Sequence, residues 1–266
     1  MADRYIKVEE KGPVAVVSLT RPEKKNALSI EMLKGLKQIA DDLALRTDIR
    51  AVVLTGGQDF FTAGMDLSDP AFSGAFAAPL CEKQNLMLVA PRTCKALEAM
   101  PQFTIAAIEG FCLGGGVSLA VSLDTRVMSQ SASIRAPEIA YGMNMSWGTI
   151  PRLLHLMGPA RAKEFLIFAQ DALNGQTALE WGFAQHLCQE GKALETALEL
   201  AQKAATMPFH AISMTKQTIN ALSTALDNLA CHMDHDQFLL SISDPESLER
   251  ILGFVAGKKT GSGKGK

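Results

Sequence analysis

No stretch of this 266-residue chain approaches the roughly 20 consecutive apolar residues needed to span a bilayer, so no membrane partner is expected. The opening Met1-Ala2-Asp3-Arg4-Tyr5 leads straight into strand-like sequence with no signal-peptide pattern, and the expected location is cytoplasmic. No charge of one sign dominates. Lys and Arg number 26 against 28 Asp and Glu, a net charge of −2, which leaves no electrostatic footprint for nucleic acid. The cysteines Cys81, Cys94, Cys112, Cys188 and Cys231 are odd in number and scattered, with no C-x-x-C pair. A zinc site or disulfide framework is therefore not expected, and a reducing compartment is. Nucleotide fingerprints are missing too. Gly114-Gly115-Gly116 lacks the spaced third glycine of a dinucleotide turn, and Gly263-Lys264-Gly265 lacks the rest of a Walker loop. There is no internal repeat.

What is present is apolar. Hydrophobic residues make up 47% and charged residues 20%, which predicts a sizeable core in one large domain, or a core with a smaller appendage. Ile6–Glu9 and Val14–Leu19 read as a hairpin around Lys11-Gly12-Pro13. Ser29 reads as the N-cap of a helix from Ile30 to about Leu45, and Ala51–Leu54 as a short buried strand. Ser68–Ala78 reads as a mobile loop, and Leu86–Met100 as a helix interrupted near Pro91. Thr104–Ile108 reads as a strand, followed by the glycine triplet and a helix from Val117 to Leu123. Arg126–Met128 and Ser133–Arg135 read as short strands, and only helices are expected after Trp147. Asp244-Pro245 starts the last of these. The pattern predicts an α/β core over 1–200, a helical region over 201–256 and a disordered tail over 257–266.

The triplet is the most informative segment. Three ordered glycines cost chain entropy, and a glycine turn opening a helix aims free N–H groups at an anion or a transient oxyanion. A tight turn for strand–helix packing explains the triplet alone equally well. A second glycine loop, Phe60-Phe61-Thr62-Ala63-Gly64-Met65-Asp66-Leu67, follows another short strand. If the two strands neighbour each other, amides from both loops converge into an oxyanion hole. Glu138 sits in apolar surroundings (Ile139, Ala140, Tyr141, Met143, Met145), where desolvation raises a carboxyl pKa towards proton-transfer use. A helix-terminal glutamate is the plain alternative. His232-Met233-Asp234-His235-Asp236 reads as a solvated helix face rather than a metal site, and Ser146 is not a nucleophile elbow because Asn144 stands where glycine is required.

These residues resemble the crotonase family of enoyl-CoA hydratases and isomerases, from Val14 to Lys259. Arg21-Pro22-Glu23-Lys24-Lys25-Asn26-Ala27-Leu28 is similar to its first CoA loop, Phe61 to Leu67 to its first oxyanion loop, Ile105 to Gly116 to its second, and Pro137-Glu138 to its catalytic glutamate pair. The resemblance implies a spiral of ββα units with a C-terminal helical trimerisation region, assembled as a homotrimer or a hexamer built as a dimer of trimers. It implies an acyl-CoA thioester substrate, with coenzyme A entering as part of that substrate and no separate cofactor. It implies catalytic roles for Glu138 and for the Met65 and Gly115 amides. CoA contacts would come from Lys24, Lys25, Ala27, Ala63, Met65, Asp66, Leu67, Gly115 and Lys259, the last, like Lys258, reaching a neighbouring subunit.

Two-glutamate hydratases carry a second acid where this chain has Ser118, and their water-positioning glycine loop is replaced by Met145-Ser146-Trp147-Gly148. One carboxylate beside an oxyanion hole suits a proton shuttle. The expected activity is therefore an enoyl-CoA isomerase moving a double bond from position 3 to position 2. A single-glutamate hydratase or hydratase/lyase is the alternative, and a non-catalytic acyl-CoA binder the third reading. Met65, Phe72, Phe76, Met143 and Trp147 are the expected acyl-pocket walls.

Overall fold

Strand β1 (Ile6–Lys11) pairs antiparallel with β2 (Val14–Leu19) through the turn at Gly12, as the hairpin pattern predicts. This is seen in a computed structural model that describes residues 4–75, 78–169, 171–231 and 233–256. Ser29 caps α1 (Ile30–Ala44) by accepting from the Met32 amide. The chain continues through β3 (Ala51–Thr55), α2 (Pro70–Gly74), α3 (Leu80–Met87), α4 (Val89–Ala99) and β4 (Phe103–Ile108). Next come β5 (Phe111–Leu113), α5 (Gly115–Val121), β6 (Thr125–Ser129) and β7 (Ser133–Arg135). After a 3-10 turn at Glu138–Tyr141 follow α6 (Thr149–Ile167), β8 (Leu173–Asn174), α7 (Gly175–Glu180), β9 (His186–Cys188) and α8 (Ala193–Ala205). Helices α9 (Phe209–Ser223), α10 (Asp227–Cys231), α11 (Asp234–Ser243) and α12 (Pro245–Val255) complete the described chain.

The strands form a six-stranded sheet, β1-β2-β3-β4-β6-β9, parallel beyond the hairpin, and a three-stranded sheet, β5-β7-β8. The chain steps repeatedly between the two, β4 to β5 and β6 to β7, which is the expected spiral with a helical C-terminal region. Side chains alternate across the large sheet. Val52 and Leu54 face α1 and α4, while Ala51 and Val53 face α8. Both faces are covered, so β3 and β4 are largely apolar, with Thr55 and Thr104 their only polar residues. Helix α8 meets the sheet through Ala193, Ala197, Ala201 and Ala205, a one-turn repeat of small residues that lets it lie close.

Several expectations need correction. The Ser68–Ala78 segment contains helix α2, capped by Asp69 with Pro70 at its first position. The helix expected over Leu86–Met100 begins earlier and divides at Leu88, not at Pro91. Pro91 lies in the first turn of α4, where its missing N–H has no intrahelical partner to lose. The glycine triplet does not follow β4 directly, because β5 intervenes, and the helix starts at Gly115 rather than Val117. The region after Trp147 is not purely helical: β8 extends the small sheet and β9 closes an edge of the large one. Phe76, His232, Lys258, Lys259 and the tail expected over 257–266 lie outside the described residues. No described helix is long and apolar enough to cross a membrane.

Candidate active site

Three loops leave the ends of β2, β3 and β4–β5 and are laced to one another. Asn26, buried in a left-handed conformation, donates from Nδ2 to the carbonyls of Gly56 and Phe61. Thr62 donates to the Asn26 carbonyl and accepts from the Gly64 amide. Leu28 donates to the Gly64 carbonyl at 2.7 Å, and Asp66 donates to the Leu28 carbonyl at 3.0 Å. Leu113 donates to the Thr62 carbonyl at 3.0 Å, tying the second loop to the third. The two glycine loops are therefore neighbours, as convergence requires.

Met65 lies between the two residues that bond Leu28, so its own amide points the other way. Gly115 is the first residue of α5, where the amide has no intrahelical acceptor. Among the described residues neither amide donates to the protein. Gly64 (φ 84°) allows the loops to approach: a Cβ there would lie 2.6 Å from the Leu113 carbonyl oxygen and 3.3 Å from the Gly115 nitrogen. The three glycines of the triplet face three different neighbours. Added Cβ atoms would meet Glu138 Oε1 at 2.6 Å from Gly114, the Trp147 ring at 2.5 Å from Gly115, and Thr62 Cγ2 at 2.4 Å from Gly116. The triplet thus serves both close packing and the site.

Met65, Gly115 and Glu138 all line one cavity of about 70 Å³, walled by Leu67, Phe72, Leu86, Met87, Met143, Met145, Trp147 and Phe238. Glu138 reaches it from the 3-10 turn after β7, and the Gly114 amide holds that end of β7 by donating to the Arg135 carbonyl at 2.9 Å. Glu138 is half-buried as a residue, but its Oε2 is inaccessible and has no hydrogen-bond partner. Desolvation pushes its pKa up to about 7, opposed by a hydrogen bond from its own backbone amide and by the Arg135 charge. Among the described residues no other cavity-lining side chain is an acid or a base. Ser118, buried at the position of the missing second acid, lies 2.7 Å from the Thr149 hydroxyl, which also contacts the Ser146 carbonyl.

The remaining sequence candidates divide. Arg21, Lys24, Asp66 and Ser68, together with Lys34, border a separate polar cleft that shares Ile30 with the cavity. The Asp66 carboxylate is taken up within the protein by the Ser68 hydroxyl, by Arg21 at 2.8 Å and by the Ser68 amide at 3.0 Å, which hold it below the usual carboxylate range against its own desolvation. Lys24 reaches Ser68 Oγ at 3.3 Å, and Lys25 lies over the Phe111 ring. Ala27 and Ala63 contribute backbone ties, accepting from Arg21 and donating to Lys25 respectively. Sequence reasoning missed Leu86, Met87 and Phe238, whose place in the wall depends on how α3 and α11 fold over the site. It also took the whole His232–Asp236 run as solvated. Asp234 is instead buried and accepts from the Gly148 amide at 3.0 Å. No cluster of metal-ligating side chains occurs among the described residues.

Comparison with known proteins points the same way. The chain is 29% identical to a short-chain-enoyl-CoA hydratase of Clostridium acetobutylicum over 95% of both chains. It is 28% identical to a crotonyl-CoA hydratase of Syntrophomonas wolfei, covering 97% of this chain and 98% of the other. The solved structure of an enoyl-CoA hydratase from Mycobacterium avium subsp. paratuberculosis superposes with a TM-score of 0.85 at 19% identity, over 98% of this chain and 99% of that one, a likeness of fold. Residues 9–259 match the family model for enoyl-CoA hydratase/isomerase, a span that takes in both amide-bearing loops and Glu138, and the chain belongs to that family.

Proposed function

We propose that this protein is an enoyl-CoA isomerase that moves a double bond from position 3 to position 2 of an acyl-CoA thioester. The observation that carries the reading is that, among the described residues, Glu138 is the one acid or base lining the cavity. The ionised Glu138 removes a proton from C2 of the 3-enoyl thioester. The electron pair moves onto the thioester oxygen, which accepts hydrogen bonds from the Met65 and Gly115 amides. Glu138, now protonated, returns the proton to C4; the C3–C4 double bond shifts to C2–C3 and the oxygen gives back its charge. A carboxyl with a pKa of about 7 both takes and returns a proton near neutrality. The CoA phosphates lie against Lys24 and Arg21 at the polar cleft.

A second reading, hydration by Glu138 alone, is favoured by the activity named for the relatives at 29% and 28% identity and by the Ser118 hydroxyl in the cavity. A 3-enoyl-CoA substrate in oxygen-18 water separates the two. Isomerisation gives the conjugated thioester, seen by its ultraviolet absorbance, with no label. A 2-enoyl-CoA converted at a higher rate into a product carrying oxygen-18 at C3 would favour hydration. Isomerisation continuing at full rate after Glu138→Gln would refute the role of that residue.

The assembly we propose is a trimer formed through the C-terminal helices. Met214, Ile219 and Leu222 of α9 and the following Leu226 are exposed, an apolar row that a second copy of the chain would cover.

A further inference from the structure

Trp147 has a left-handed backbone (φ 64°), a conformation that bulky residues avoid, and Gly148 follows with φ 69°. The two residues are gripped from both sides. Their amides both face the Asp234 carboxylate, Gly148 N at 3.0 Å from Oδ2. Their carbonyls both accept from Arg152 Nη1 at 3.0 Å. Arg152 is itself fixed by Glu98, Nε to Oε1 at 2.8 Å and Nη2 to Oε2 at 2.9 Å. Neither Asp234 nor Arg152 lines the cavity, so the clamp has no direct contact with the site. What it fixes is the backbone that carries the indole. The six-membered ring lies against the Cα of Gly115, with Cη2 and Cζ3 at 2.5 and 2.7 Å from where a Cβ would stand.

The geometry points to Trp147 as a specificity-determining wall beside the thioester, and to Asp234 and Arg152 as its positioning residues. This rests on the acyl-CoA reading but not on which reaction follows. A thioester oxygen bonded to the Gly115 amide brings C2 of the acyl group to the edge of the indole. An unsubstituted C2 passes there; a methyl branch on C2 meets the ring. The substrate class is therefore acyl-CoA unbranched at C2. The same helix that supplies Asp234 supplies Phe238 one turn later, so α11 fixes two walls of the cavity at once.

Two saturated ligands that cannot react, butyryl-CoA and 2-methylpropanoyl-CoA, test this by calorimetric Kd. The intact protein is expected to prefer butyryl-CoA by about tenfold or more, the scale on which a pocket rejects a misplaced methyl group. Trp147→Ala is expected to bring the ratio close to one, Trp147→Phe to retain most of it, and Asp234→Ala to lower it without touching the ligand. A loss of stability alone would weaken both ligands equally and leave the ratio unchanged. In a Trp181→Phe background Trp147 is the sole tryptophan, and Asp234→Ala is expected to increase its quenching by acrylamide. Equal affinity of the intact protein for the two ligands overturns the inference while leaving the acyl-CoA reading standing. An unchanged ratio in both Trp147→Ala and Asp234→Ala does the same. If neither ligand binds, the acyl-CoA reading falls and the inference with it.

Discussion

Replacing Glu138 by Gln removes a buried charge while keeping the shape of the side chain, and the consequence for stability depends on pH. Folding raises the Glu138 pKa from 4.5 to about 7, because Oε2 loses water and gains no partner. At about 1.4 kcal/mol per unit, holding the carboxylate ionised inside the fold costs up to about 3 kcal/mol. A carboxyl whose pKa rises on folding favours the folded state while protonated. That contribution is complete below pH 4.5 and is lost as the pH climbs through about 7. The native protein is therefore expected to lose up to about 3 kcal/mol relative to Glu138→Gln between the acid and alkaline ends of this window. Urea unfolding of both proteins across the range, followed by circular dichroism, measures the difference. A difference that stays constant, or one in which the native protein gains on the variant as pH rises, would refute desolvation as the state of Glu138.

Gly114→Ala is expected to cost about 1–3 kcal/mol from its backbone conformation alone, and to lower kcat strongly, because φ is 51° and the new Cβ would stand 2.6 Å from Glu138 Oε1; urea midpoints and steady-state rates read the two effects. Arg21→Leu leaves the Asp66 carboxylate buried without its cation and is expected to cost about 3 kcal/mol and to raise KM for the CoA ester as the first two loops separate. Ile219→Asp places a charge in the exposed row of α9 and is expected to shift the mass measured by sedimentation from trimer towards monomer.

Much of this structure was legible in the sequence where one local rule decided the outcome. The Ser29 and Asp244 caps act as read, each side chain accepting amides of the following turn. The apolar runs at β3 and β4 are buried strands, and the glycine loops and Glu138 face one cavity. Asp69-Pro70 carries the same signal as Asp244-Pro245, yet the Ser, Pro, Ala and Gly around it suggested a loop and hid α2. Strands β8 and β9 are two and three residues long, too short for any period to show; their pairing with β7 and β6 creates them. Asp234 looks solvated by spacing because its burial depends on the Trp147–Gly148 turn, 86 residues away along the chain from Asp234 to Gly148.

In the reaction proposed, one carboxyl carries the proton from C2 to C4 of the acyl group. A 3-enoyl-CoA deuterated at C2, turned over in ordinary water and analysed by NMR, tests it most directly. Deuterium appearing at C4 of the 2-enoyl product, and no turnover in Glu138→Gln, is the expected result. Turnover that gives the 2-enoyl product with no deuterium at C4 would contradict it.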